Sequence, residues 1–308
     1  MLKTILKSKL YMVTQPDHAH VAGYLASHWG NEEFNAPGYF HDSDDSKRLQ
    51  DEVILGVSEH DNGWWEWEAT PDINYIDGLP LGLSDVLKNQ QDGMDRWRIG
   101  IRRFSNNHPY ASLIISFHAY WLYVQNFKEQ KVSEFIHPLF WKGEMPELTF
   151  SDEKLKNAQN FVTEIEDLQT ELIDKIKSSP ECVSWLDEKH LNPHARFLQI
   201  LDGLSLSLCS NLISPIEGEA TGLGEDEFNL LEVPRTKWDD RVRINIKPIG
   251  ERKIVCSPYP FDIDPLPVFM PATILDLPIE KSSQFQKYWH SKQKQIIKFE
   301  YCSAESHF

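Results

Sequence analysis

Cysteine is scarce and scattered in this chain of 308 residues: there are four, Cys182, Cys209, Cys256 and Cys302, and no two stand in a C-x-x-C spacing. Neither a zinc ribbon nor a thioredoxin-type site is encoded, and free thiols in a reducing compartment are expected. Long apolar runs are lacking too. No window approaches the roughly 18 to 20 apolar residues of a membrane span. In the first ten residues Lys3, Lys7 and Lys9 break every apolar stretch, which argues against a signal peptide, so a cytoplasmic location is expected. Positive charge is in deficit, with 31 Lys and Arg against 47 Asp and Glu and a formal net charge of −16. Such a surface repels phosphate backbones and anionic lipid. Arg96, Arg98, Arg102 and Arg103 make only a short basic face. Neither nucleic acid nor a membrane is expected as a partner, which leaves a small-molecule substrate. No internal repeat or low-complexity tract is found.

Aromatic residues are abundant: ten Trp, ten Tyr and sixteen Phe argue for an ordered, globular chain. Its length suits one large domain or two smaller ones. The most informative stretch is Ser58-Glu59-His60-Asp61-Asn62-Gly63-Trp64-Trp65. Leu49, Val53, Gly56, Val57 and His60 follow a three-and-four spacing, which lays them on one face of a helix. Asp61 follows about 100° further round, and Gly63 is expected to end the helix in the left-handed conformation. An imidazole and a carboxylate together at a buried helix end can bind a divalent cation. Trp64, Trp65 and Trp67 could line a pocket for a flat or apolar part of a substrate, or simply pack.

Three further residues stand out on apolar faces. His18 lies with Ala22, Leu25 and Trp29 on a helix begun by Thr14, Pro16 and Asp17 in a capping-box arrangement. It is either a core histidine bonded to a neighbour or a ligand, and Asp17 could orient it from the side. His118 is central to a helix predicted from Pro109 to about Phe127, on a stripe with Ile114, Ile115, Trp121, Leu122 and Gln125. Asp202 lies among Leu198, Leu201, Leu206 and Cys209 on a helix expected to start at Asn192-Pro193. An unpaired ionised carboxylate there is unfavourable by several kcal/mol. It requires a cation, and Arg196 lies on the wrong side of the helix to supply it. Another helix is predicted from Ser84, broken near Gly93, and a long one from Ser151. The acidic loop with Asp42, Asp44 and Asp45 lacks EF-hand spacing and reads as solvated.

From Ser214 the pattern changes. An acidic, Gly-rich linker is followed by period-two stretches at 242–247, 253–256, 268–270, 273–275 and 296–301, with prolines supplying turns. Residues 1–222 are expected to form an all-α domain and residues 223–308 a small antiparallel β unit packed on it.

The order His18, His60-Asp61, Asp202, with His118 between, resembles the HD superfamily of metal-dependent phosphohydrolases. Their signature is a first His, an adjacent His-Asp and a final Asp on separate helices. Gln15-Pro-Asp-His-Ala19, Glu59-His-Asp-Asn-Gly-Trp64 and Leu201-Asp-Gly-Leu-Ser205 look like segments of an uncharacterised HD-like family of unknown function. The resemblance covers roughly residues 10 to 215. It implies a mainly α fold, an HD-like helical bundle core with a C-terminal antiparallel β appendage. It also implies His18, His60, Asp61 and Asp202 as ligands of manganese, iron, magnesium, nickel or zinc. Known members keep extra Lys, Arg and His for phosphate, whereas this neighbourhood offers Glu59, Glu66 and tryptophans.

Three functions remain open at this level. One is a mononuclear hydrolase of a phosphoester, with metal-activated water, Asp61 at the metal and Glu59 as an acid–base helper. Another is an oxygenase with two irons, in which His118 and either His137 or His194 bind the second ion. The third is a non-catalytic, metal-stabilised binding module.

Overall fold

A computed structural model describes residues 1–40, 45–74, 76, 78–83, 85, 90–124, 133–141, 151–277 and 289–305. The chain opens with a hairpin. Strands β1 (Leu2–Leu6) and β2 (Lys9–Val13) pair antiparallel around a turn in which Lys7 takes a positive φ. The lysines that interrupt the apolar pattern stand at the turn and on the more open positions, while β2 is covered on both faces. Tyr11 and Val13 enter the main core; Leu10 and Met12 join Met1, Leu275 and Trp289 in a second cluster behind the sheet.

Helix α1 (Gln15–Ser27) follows, with the Thr14 hydroxyl accepting from the Asp17 N–H at 3.1 Å and Pro16 in the first turn. Then come α2 (Ser46–Ser58), the short α3 (Trp65–Ala69), α4 (Gln90–Arg103) and α5 (Pro109–Val124). α6 (Asp152–Lys177) is capped by the Ser151 hydroxyl. α7 runs from Glu188 to Cys209, so it begins before Asn192 and carries Pro193 inside it. Gly93 does not break α4. Ser84, Gln125 and Phe127, and Asp42 and Asp44 of the acidic loop, lie outside the described residues.

α7 is the axis of the molecule. It is buried almost all round from His190 to Cys209, as expected of a helix that is apolar on most sides. It packs against α1, α2, α5 and the strands β1 and β2. Trp29, at the end of α1, fills the junction edge-on to Phe34, Phe197 and Phe261.

The remaining strands are β3 (Phe228–Pro234), β4 (Arg241–Gly250), β5 (Lys253–Ser257), β6 (Leu266–Asp276) and β7 (Gln295–Ser303). They form one seven-stranded sheet with the N-terminal hairpin, in the order β1-β2-β6-β7-β5-β4-β3. The expectation of a mainly α fold with an antiparallel appendage is therefore corrected. Helix makes up about 49% and strand 21%, and the curled sheet forms a half-barrel in an α/β protein. The sheet is also mixed, because β5 and β7 run parallel. The physical reason is non-local pairing: Tyr11 stands opposite Ile274, so β2 draws residues 1–13 into the sheet that the C-terminal stretch completes. Among the described residues no helix is long and apolar enough to cross a membrane.

Truncation after Ser214 tests whether the helical part stands alone. It strips β6 from β2 and uncovers core side chains such as Val13 and Trp29, so an aggregated product is expected by size-exclusion chromatography. A soluble fragment with full helicity would favour two separable domains.

Candidate metal centre

Four segments of the chain converge on one buried point. His18 comes from the first turn of α1, His118 from the middle of α5 and Asp202 from the middle of α7. His60 and Asp61 lie in the turn just beyond α2, not in its last helical turn. Gly63 follows in a 3-10 turn over Asn62–Trp64, without positive φ. Its role is space: a Cβ there would collide with the Arg96 carbonyl oxygen, where α4 passes over the turn. Asn62 fastens the same turn, donating to the Glu59 and Gly100 carbonyls and accepting from Arg103.

The five side chains are almost entirely buried, with Asp61 and Asp202 the most open at 6% and 5%. His18 Nε2 lies 2.8 Å from Asp61 Oδ2, and His60 Nε2 lies 3.7 Å from that oxygen and 3.4 Å from Asp202 Oδ1. The other oxygen of Asp202 faces His118 Nε2 at 3.4 Å and His137 Nε2 at 2.9 Å. Potential ligand atoms fall into two groups, each within 4.8 Å: His18, His60 and Asp61, and His60, His118 and Asp202.

Hydrogen bonds outside the cluster set the tautomers. The Val57 carbonyl accepts from His60 Nδ1 at 2.7 Å. The Ser205 hydroxyl gives its proton to the Asp202 carbonyl, so it accepts from His18 Nδ1 at 2.9 Å. In neutral rings both Nε2 lone pairs then point inward, and His60 Nε2 is a buried atom with no hydrogen-bond partner. An imidazole lone pair facing a carboxylate oxygen at 2.8 Å is repulsive unless a cation lies between them. Two carboxylates among neutral imidazoles also leave a charge that a divalent ion would cancel. The residues fit a metal ion.

The electrostatics agree. Burial alone would lower His60, but Asp61 and Asp202 outweigh it and raise the imidazole to about 9. A proton on His60 thus takes the place a metal ion would take. Burial lowers His118 to about 4 and lowers His137 as well, although Asp202 pulls both upward. Burial would raise Asp202, yet the imidazoles of His118, His137 and His60 that face it hold its carboxyl well below the usual carboxylate range.

His137 enters from a loop, not from a periodic element. It stands before a short 3-10 turn, Pro138–Phe140, and α7 holds its segment. Arg196 donates to the carbonyls of Ile136, Leu231 and Glu232, and Gln199 Nε2 donates to that of Phe135. Gly203 leaves room for Pro138, whose Cγ would lie 2.5 Å from an added Cβ. His194 serves elsewhere. Its Nε2 accepts from the Gly38 N–H and its Nδ1 contacts the Tyr110 hydroxyl, while burial lowers it to about 3.

The other candidate residues lie around this cluster. Glu59 turns to His20, 3.5 Å away, and that contact is the main cause raising the His20 pKa. Asp17 bonds Thr14 and Lys294 rather than His18. Trp64 and Trp67 pack edge-on at 5.4 Å, and Trp65 lies under Arg103 near the surface. The tryptophan nearest the cluster in the described contacts is Trp97, 5.4 Å from His118. Ser205 was not anticipated, although its place three residues after Asp202 on the same helix face was a readable signal.

Fold and centre together define an α/β protein with a buried histidine–aspartate cluster able to hold a metal ion. The chain belongs to the family described as protein of unknown function DUF3891, which matches residues 1–277. No curated protein and no solved structure matches the chain.

Ser205→Ala removes the acceptor that orients His18. A loss of about 10- to 100-fold in metal affinity is expected, the usual cost of removing such a partner. Titration with a competing chelator measures it, and unchanged affinity would mean that Ser205 does not set the His18 tautomer.

Proposed function

We propose that this protein is a metal-dependent hydrolase of HD type, acting on a small phosphoester. The observation that carries the reading is the inward convergence of the Nε2 atoms of His18 and His60 upon the carboxylates of Asp61 and Asp202. His18, His60, Asp61 and Asp202 would hold the ion, with His118 a further candidate through Asp202. Mixed nitrogen and oxygen ligation suits manganese, iron, magnesium, nickel or zinc. A divalent ion bound there supplies the acidity that makes water a nucleophile near neutral pH. The chain's own part is to orient the donors and exclude bulk water. Asp61 can also accept a proton from the attacking water. For Glu59, a helper role would run through its pair with His20.

A second reading is an oxygenase with two irons. Its specific support is that Asp202 directs Oδ1 to His60 and His18 and Oδ2 to His118 and His137. One carboxylate could therefore span two ligand groups.

Elemental mass spectrometry of the purified protein is the first test. About one divalent ion per chain and turnover of a phosphoester panel, both lost in Asp61→Ala, are expected. Two irons per chain would favour the oxygenase. No ion after reconstitution with manganese, iron or zinc would leave a binding module.

Proton release gives an independent check. His60 holds its proton up to about 9 in the metal-free chain, so at pH 7 an entering ion must displace it. Calorimetry in buffers of different ionisation enthalpy should find about one proton released per ion at pH 7. Release should fade above about pH 9, where the imidazole is already neutral. No release at pH 7 would remove His60 from the ligand set.

A further inference from the structure

We propose that His137 serves the centre as a fixed hydrogen-bond donor to an oxygen bound beside Asp202, and not as a metal ligand. This rests on the metal-centre reading and deepens it. His137 caps the turn Pro138–Phe140, its Nδ1 accepting from the Leu139 N–H at 3.2 Å. A nitrogen that accepts an N–H cannot carry a proton, so the ring is neutral and its proton lies on Nε2. That is the reverse of His18 and His60, which donate through Nδ1 to Ser205 and Val57. Binding an ion through Nε2 would need the opposite tautomer and would set a proton on Nδ1 against the Leu139 N–H.

The donor is aimed and unspent. His137 is fully buried, and its Nε2 lies 2.9 Å from Asp202 Oδ2, yet that atom has no hydrogen-bond partner among the described residues. The contact is close but off the N–H line, so the proton is free for a bound oxygen alongside. The ring has little freedom to turn away. Arg196 and Gln199 hold the carbonyls of Ile136 and Phe135, and Pro138 is seated against Gly203. These three α7 residues lie on the same helix as Asp202, so donor and carboxylate are set by one rigid element. Arg196 in turn spans to β3, where the register shifts between Leu230 and Val233 and Glu232 has φ +52°. That irregularity turns the Leu231 and Glu232 carbonyls to the guanidinium. With His137 a donor, the described residues on the Oδ2 side leave His118 and Asp202 alone for a second ion, and the centre holds one.

Histidine nitrogen NMR on the full chain tests the tautomer without a variant that could misfold, with His137→Gln used only to assign the signal. The expected result is a neutral His137 with its proton on Nε2, metal-free and again after saturation with Zn2+. A proton on Nδ1, or a His137 nitrogen shifted by direct coordination to Zn2+, would overturn the proposal. The variants add a second readout. His137→Gln keeps an N–H donor near the Nε2 position, so it should hold the same number of ions per chain with affinity within about threefold of the parent. His137→Ala should hold the same number with affinity weaker by about tenfold or more. Fewer ions per chain in a folded His137→Gln protein would make His137 a ligand and overturn the assignment, whereas failure of the parent chain to bind any ion would instead remove the metal-centre reading.

Discussion

The ionised carboxylate of Asp202 is the constraint around which the rest is arranged. It lies in the middle of a helix enclosed on almost every side, where water cannot solvate it. A charge in such a place requires compensation, and the chain delivers four imidazoles from four separate segments to within 3.6 Å of it. Each imidazole is steered by a partner outside the cluster: a serine one turn along α7, the Val57 carbonyl at the end of α2, and a backbone N–H at the start of a 3-10 turn. His118 is the exception, with Nδ1 buried and without a partner among the described residues. The order of the site thus resides in the ring orientations rather than in the acids.

Close approach of backbones makes that order possible. The His60-Asp61 turn can lie beneath α4 because residue 63 has no side chain, and the loop carrying His137 can lie on α7 because residue 203 has none. In both places what matters is contact distance, not unusual backbone geometry. At residue 63 this differs from the sequence-based expectation of a left-handed helix stop. The distinction is chemical as well as geometric: a side chain at either position would displace a segment that carries a residue of the centre rather than strain a turn.

How much was legible follows from where each residue sits. His18, His118 and Asp202 stand on apolar helical stripes, and a polar residue on such a stripe is visible from spacing alone. His60 and Asp61 were visible through their adjacency. His137 belongs to no periodic element, so sequence offered it only as an equal alternative to His194. The structure separates the two by their partners, Asp202 for one and Gly38 with Tyr110 for the other. The sheet was legible strand by strand in its C-terminal part but not as an object. β1 is masked by lysines and β3 by a broken register, and the pairing of β2 with β6 is a contact between distant parts of the chain that no local pattern encodes. The half-barrel was therefore missed while most of its strands were seen.

That last pairing bears on the order of events during synthesis. α1 follows directly from β2, and β2 has no neighbour on its inner side until β6, more than 250 residues later, has left the ribosome. Non-local closure of this kind is slow compared with helix formation. The sheet beside α1 is therefore completed late, after His60, Asp61 and Asp202 have already been made. For most of its time as a nascent chain the protein holds an incomplete set of polar groups destined for a dry interior. Capture of a cation by that partial set would favour the helices' docking before the sheet closes over them, which links the timing of ion supply to the yield of folded protein.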